Sequence, residues 1–450
     1  MIVFRRRLLV WLLRAYVKRM GRAIAFFFLG GLTLFFLSIV IYNFASTKIP
    51  VTQNESVGLI GAYSLNDLPD SITEKLSMGL TKTMPDGKIL PAAAKYWRIQ
   101  DNDKTYVFYL DKNKKFTDGS TLTSKNIEYN FKDVNAVRPV EDVIVFKLKE
   151  GFSPFLSSAS RPIFKKGFVG LGEYRIKDVK LNSGFVQQIT LSKVSNPLQT
   201  ISYQFYPSSK ALKTAYALGE IDRAYGLMDI SIENTTFSDF PNTSVSREIN
   251  YNQLITLFYN NKDSVLSDKK IRGALSYAIP SSFENGKRTY SPISAKSSYF
   301  VDYYVQLEDL DHARKLLDDS SASNSSKLKL SIKTMPKYKS IAEEIAKSWK
   351  KIGVDAQIEE TSGLPSSFQI FLGDFNIPKD PDQYILWHSD QNNNITGYKN
   401  LRIDKLLEDG RKTSDQNERK KIYNDFQKYL IDDHPASFLY FPYEYHLTRK

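Results

Sequence analysis

Three carboxylates, Asp374, Asp380 and Asp382, crowd into one short segment, and Tyr384, Trp387 and His388 follow directly. Acids beside broad aromatic faces suit a ligand that carries an amine. The carboxylate answers the charge through short, charge-assisted hydrogen bonds, and the rings flank it. The segment that presents these groups, Phe368 to His388, opens as a strand, with Phe368, Ile370 and Leu372 alternating against Gln369 and Phe371. It breaks into a loop at Gly373, stiffened by Pro378 and Pro381. The carboxyl end of a strand is where an open α/β sheet receives its ligands. Each aspartate taken alone reads first as a solvated turn residue, because Asp-Pro and Pro-x-Asp form turns.

Catalysis finds little support. With no cysteine, disulfides, thiol nucleophiles and zinc-thiolate sites are excluded. The four histidines, His312, His388, His434 and His446, show no metal-ligand spacing, and His388 reads as structural. Gly-x-Ser-x-Gly, His-Glu-x-x-His and phosphate-loop patterns do not occur. Asp101-Asn102-Asp103 lacks the rest of a calcium loop and reads as a turn. No enzyme activity, metal or cofactor is expected.

The formal charge of +13 invites a nucleic-acid reading, but its distribution opposes one. Residues 1–50 carry eight Lys/Arg and no acid, which leaves +5 (13 less 8) over the other 400 residues. The basic cluster precedes Ala23 to Phe44, 22 residues without a charge. A spanning helix needs about 20, and the positive-inside rule then holds the N-terminus in the cytoplasm and sends the body across. A cleaved signal peptide is the alternative, disfavoured by the length of the apolar run and the lack of a small-x-small site after it. The chain therefore divides into a basic segment (1–22), a transmembrane anchor (23–44), a polar tether (45–56) and a body.

Along the body, Leu76 to Thr81 reads as a short helix before a turn at Met84-Pro85-Asp86-Gly87. Tyr106, Phe108 and Leu110 alternate as a strand, and Ser124 to Val134 reads as a helix with Ile127, Phe131 and Val134 on one side. Ala211, Leu212, Ala215, Tyr216 and Leu218 make a helix face closed by Gly219. Ser267 reads as the cap of a helix bearing Ile271, Ala274, Leu275 and Ala278. Residues 318–327 are a polar loop. The clearest local pattern is a strand (Leu328, Leu330, Ile332), a helix face (Ile341, Ala342, Ile345, Ala346, Trp349, Ile352), the C-terminal glycine Gly353, and a second strand (Val354, Ala356, Ile358). At this length the two strands are expected to lie parallel in one sheet, joined by a right-handed crossover. Ile422, Tyr423, Phe426, Tyr429 and Leu430 form a last amphipathic helix stopped by Pro435.

Several of these pieces carry a family pattern in order. They are Pro91, Trp97, Tyr106, Phe108, Leu110, Phe116, Asp118-Gly119, Leu122-Thr123 and Ile127, then Gly170-Leu171-Gly172-Glu173-Tyr174, Gly219-Glu220-Ile221-Asp222, Gly397-Tyr398-Lys399-Asn400 and Asp404-Lys405-Leu406-Leu407. Over about residues 57–442 the chain resembles the peptide/nickel class, family 5, of extracytoplasmic solute-binding proteins of ATP-binding-cassette importers.

That resemblance implies an α/β, two-lobed periplasmic-binding-protein-like fold (type II, with a small extra subdomain), preceded by the one N-terminal transmembrane helix read from the apolar run. Lobe I spans 57–250 with an insertion at about 70–160, lobe II spans 251–437, and 438–450 returns toward lobe I. It implies a monomer that takes a short peptide or similar small solute between its lobes and passes it to a permease and ATPase complex, with no nucleic acid involved. It also implies that one carboxylate of the acidic loop pairs with a peptide's α-ammonium. Asp380 is favoured, with Asp382 and Asp374 behind it. Tyr384 and Trp387 flank the ligand or belong to the core, Tyr63 and Trp97 contribute from the opposite lobe, and Tyr251, Asn252 and Asn260 stand near the hinge. The chain departs from the family in a short segment between Val134 and Gly170, which reads as a trimmed smaller subdomain, and in stopping soon after Phe438 to Tyr443, so that either the lobe is minimal or the chain is truncated. An oligosaccharide, for which 27 Tyr and 28 Phe offer stacking faces, is the rival ligand. A sensory or scaffolding ectodomain is the rival role.

Overall fold

The computed structural model describes residues 2–48, 53–302, 304–321 and 328–450. They form two units, Met1–Asn54 and Glu55–Lys450.

The first unit is helical over Ile2–Lys48. The transmembrane anchor expected over 23–44 is not met by any single helix among the described residues. The helix bends by 61° between Leu8–Ala23 and Ala25–Ile41, and no single helix among the described residues is long and apolar enough to cross a membrane. The apolar arm Ala25–Ile41 rises about 25 Å, against about 30 Å of bilayer hydrocarbon. The two arms pass the test of length and composition only together. The helix runs on to Lys48 and the first strand starts at Gln53, both within the tether read over 45–56; residues 49–52 of that stretch lie outside the described residues.

The second unit is built on a mixed sheet of twelve strands. In spatial order its main path is Val354–Glu360, Leu328–Thr334, Ile370–Asn376, Gln253–Tyr259, Ala436–Arg449, Arg223–Leu227, Gln53–Ile60, Gln199–Tyr206, Phe185–Lys193 and Tyr174–Asn182. Thr243–Ile249 and Gly286–Arg288 pair with Ala436–Arg449 off this path. The long strand Ala436–Arg449 is the seam, since it pairs antiparallel with Gln253–Tyr259 at one end and Arg223–Leu227 at the other. Leu328–Thr334 and Val354–Glu360 are parallel, in register Leu328↔Val354 to Thr334↔Glu360. The helix Lys339–Lys350 joins them, and Gly353 turns the chain back at φ +86°, a conformation glycine adopts without strain. This helix buries Ile341, Ala342, Ile345 and Trp349 on the sheet, and Trp349 donates its indole N–H to Leu275 O at 2.9 Å.

A separate antiparallel sheet of four strands (Ala94–Gln100, Thr105–Leu110, Val143–Leu148, Val134–Val140) has its own core around Tyr106, Phe108, Phe146 and Phe155. Here the helix expected over Ser124 to Val134 is absent. Only a turn of 3₁₀ helix, Ser124–Asn126, forms, because the Asn126 side chain folds back to accept the Thr123 amide and hydroxyl. Val134 then opens a strand. The apolar spacing of 127, 131 and 134 serves an irregular segment that drops Phe131 onto Phe155, ring centroids 5.2 Å apart. Likewise the short helix runs over Asp70–Leu76 rather than Leu76 to Thr81, starting directly after Pro69, and Thr81 lies in a strand. The helix at Lys269–Tyr277 is capped by Asp268, which accepts from Lys270 N at 2.8 Å, rather than by Ser267.

Candidate functional site

A cleft of about 930 Å³ opens between two sets of elements. One wall comes from Tyr63, the helix Asp70–Leu76, the hairpin strands Thr81–Thr83 and Ile89–Pro91, and residues 157–162. The other comes from Asn252, at the foot of the strand Gln253–Tyr259, and from Asn376 to Lys379, which leave the end of the strand Ile370–Asn376. Ile377 N donates to Asn252 O at 2.7 Å, tying the two pieces of this second wall together. The walls also touch. Lys379 Nζ lies 3.4 Å from Asp70 Oδ2 and 3.3 Å from Glu74 Oε1 across the opening. Nearby, Ser298 N donates to Asp86 O at 3.0 Å, and Ser153 N donates to Arg411 O at 2.7 Å.

The strand that ends at the cleft does not break at Gly373. It continues to Asn376, with Gly373 opposite Thr256, and a Cβ at 373 would meet the Phe371 ring at 2.5 Å. The glycine makes room for a neighbouring ring instead of turning the chain. Asp374 therefore lies within the strand, where Tyr338 (2.7 Å), Lys337 (3.1 Å) and Gln253 donate to its carboxylate. Burial, and then this adjacent carboxylate, raise the pKa of the Tyr338 phenol well above its ordinary value, so it remains a donor.

The two aspartates further along are held by arginines. Arg419 grips Asp380 with both terminal nitrogens, at 2.7 and 3.1 Å, and the two side chains are only 7% and 14% exposed. Arg411 donates to Asp382 at 2.9–3.0 Å through Nε. Its guanidinium also lies over the Tyr384 ring at 3.8 Å and the Phe152 ring at 5.5 Å. Asp380 Oδ1 also accepts from Asp382 N at 3.0 Å, and Asp382 Oδ1 from Tyr384 N at 3.1 Å. The acidic loop thus buttresses the ends of the helices Leu401–Lys412 and Gln416–Asp433. Trp387 is 2% exposed, donates to Gln383 Oε1 at 2.9 Å and meets Phe438 edge-on. His388 is buried, stacked on Tyr384 with centroids 4.1 Å apart.

Of the residues singled out from sequence, the structure brings Tyr63 and Asn252 to the cleft lining. Asp374, Asp380, Asp382, Tyr384, Trp387 and Trp97 are not part of it. Trp97 packs on the core of the four-stranded sheet, and Asn260 donates to Phe368 O at 3.0 Å. Sequence reasoning passed over Asp70, Glu74 and Lys379. A spacing of four on a helix, which sets Asp70 and Glu74 on one face, was the available signal.

Residues 88–397 match the model for bacterial extracellular solute-binding proteins, family 5, middle. The chain is 24% identical over 417 residues to the probable D,D-dipeptide-binding periplasmic protein DdpA of Escherichia coli K12, covering 77% of this chain and 78% of that one. It is 24% identical over 460 residues to the oligopeptide-binding protein AppA of Bacillus subtilis 168, covering 84% and 83%. Its fold resembles that of NikZ from Campylobacter jejuni, solved in complex with Ni(L-His), with a TM-score of 0.74 at 20% identity, over 89% of this chain and 95% of that one.

Proposed function

Because the chain belongs to the bacterial extracellular solute-binding proteins of family 5, and is a binding protein rather than an enzyme, we propose that it captures a short peptide in the cleft and delivers it to an ATP-binding-cassette importer. The observation that carries this reading is the cleft itself. About 930 Å³ lies near the top of the range for small-molecule sites and accommodates an extended peptide of a few residues. Its lining mixes backbone-binding polar groups such as Asn252 and Asn376 with charged ends, which suits gripping a peptide main chain while leaving side chains loosely held. The names of DdpA and AppA point the same way.

In this reading residues 57–250 and 251–437 act as two lobes, and 438–450 returns to the first. The contacts of Lys379 and Ser153 are made between them, and closure is an equilibrium that the solute biases by touching both walls. Tyr63 is the ligand contact retained from the sequence-based set. The body faces outward, anchored through the apolar arm Ala25–Ile41, with the basic cluster of residues 5–22 held on the cytoplasmic side.

The test is native mass spectrometry of the purified protein, followed by thermal unfolding with a mixed di- to pentapeptide pool, with Ni(L-His)₂ and with an oligosaccharide pool. A co-purified peptide and a raised melting temperature with peptides alone support the reading. Stabilisation by either of the other two, and none by peptides, refutes it. Carbonate extraction of membranes, with the protein staying in the pellet, tests the anchor.

A further inference from the structure

The helical arm Leu8–Ala23 is two-faced. Arg14, Lys18 and Arg22 follow at intervals of four, so a helix of about 3.6 residues per turn sets them within about 80° of one another. Leu9, Leu12, Leu13, Tyr16, Val17 and Met20 share the opposite side, with Arg19 at its border and Trp11 among the cations. All six are between 48% and 65% exposed, and none belongs to a hydrophobic cluster of the described residues. The arm meets the apolar arm Ala25–Ile41 at 61°. With Ala25–Ile41 along the bilayer normal, Leu8–Ala23 is inclined 29° to the membrane surface (90 less 61). An ordinary helix tilt of about 20°, taken in the plane of the bend, leaves about 10°. A helix so placed sinks its apolar face into the headgroup boundary and keeps its cations at headgroup level. Residues 1–50 hold no acid, so a second copy of the arm would set like charges side by side, whereas an anionic headgroup layer answers them.

We infer that the arm Leu8–Ala23 docks on the anionic surface of the inner leaflet, with Arg14, Lys18 and Arg22 against lipid phosphates and the six apolar side chains in the acyl boundary. The inference rests on the anchored reading given above and goes beyond it. A charge bias alone decides which side of the membrane the cations occupy; the two-faced arm lays them flat against it. Each cation near an anionic surface shifts the ratio of docked to free arm about fivefold, so the three together account for about a hundredfold. Added salt weakens the attraction.

Because the chain has no cysteine, a single nitroxide label can be placed at one chosen position. Full-length protein labelled through Leu13→Cys, Ala15→Cys, Met20→Cys or Leu34→Cys is held in nanodiscs of phosphatidylcholine, alone or mixed with phosphatidylglycerol. In the mixed discs the labels at Leu13→Cys and Met20→Cys are expected to collide with oxygen, and the label at Ala15→Cys with water-soluble chromium oxalate. Removing phosphatidylglycerol, or combining Arg14→Gln, Lys18→Gln and Arg22→Gln, is expected to lower the docked-to-free ratio tenfold to about a hundredfold. Four results overturn the inference: chromium oxalate contact at all three positions, oxygen contact at all three, an alternation indifferent to lipid charge, or dipolar broadening between two copies. If oxygen still reaches Leu34→Cys in those cases, the anchor stands and the inference alone falls. If chromium oxalate reaches Leu34→Cys, both fall.

Discussion

Replacing Asp380 with asparagine separates a structural role for the acidic loop from a ligand-binding one. The carboxylate receives both terminal nitrogens of Arg419 and the amide of Asp382, and Arg419 is nearly buried. Asparagine keeps the shape and one acceptor oxygen but leaves the guanidinium without its counter-charge. Removing one partner of a buried pair costs about 3–5 kcal/mol, and the remaining acceptor together with the Gly410 carbonyl on Arg419 Nε (2.9 Å) places this case near about 3. For a chain of this size that corresponds to a fall in melting temperature of roughly 3 °C. Adding Arg419→Met to Asp380→Asn is expected to recover more than half of the loss, since the uncompensated charge then disappears. Calorimetric unfolding of wild type, the two single variants and the double variant supplies the cycle. The reasoning is refuted if Asp380→Asn melts with wild type but loses peptide binding, for that carboxylate would then serve the solute and not Arg419.

Two further outcomes follow from the described geometry. His434, in a left-handed conformation after the helix Gln416–Asp433, has its pKa pulled down to about 3 by burial and then by Arg272 and Lys269. The fold therefore favours the neutral ring. The stability it contributes is intact above the unfolded value of about 6.5 and drains away as pH falls toward 3, amounting to about 2 kcal/mol by pH 5. His434→Gln is expected to flatten this part of a urea-midpoint profile between pH 7 and 5. Gly172→Ala is expected to destabilise by about 1–3 kcal/mol in urea unfolding, because a Cβ there would stand 2.1 Å from the Lys75 carbonyl oxygen, which is backbone and cannot swing aside.

The same glycine shows what sequence conveys and what it withholds. Gly170 and Gly172 stood out as part of a motif, and the structure gives the cause: both pass against the end of the helix Asp70–Leu76, with no room for a side chain. The strand–helix–strand over 328–360 was legible because its periodicity and its terminal glycine are local and agree. The acidic loop was legible as an acidic cluster, but the partners that hold its carboxylates were not. The groups that claim Asp380 and Asp382 lie 39 and 29 residues further along the chain, and residue type carries no record of such partners. Conversely, Lys379 sits between Pro378 and Asp380 with nothing in its neighbourhood to set it apart. Its meaning comes from Asp70 and Glu74, some three hundred positions earlier.

The strand Ala436–Arg449 pairs with Arg223–Leu227, Thr243–Ile249, Gln253–Tyr259 and Gly286–Arg288, all made long before it during synthesis. Until it emerges from the ribosome those strands lack a neighbour, and the large sheet stays open along its middle. Such long-range pairing makes folding slow and late. A chain whose large sheet closes only through so late a pairing spends longer without a finished core, and so stays open to whatever handles unfolded chains.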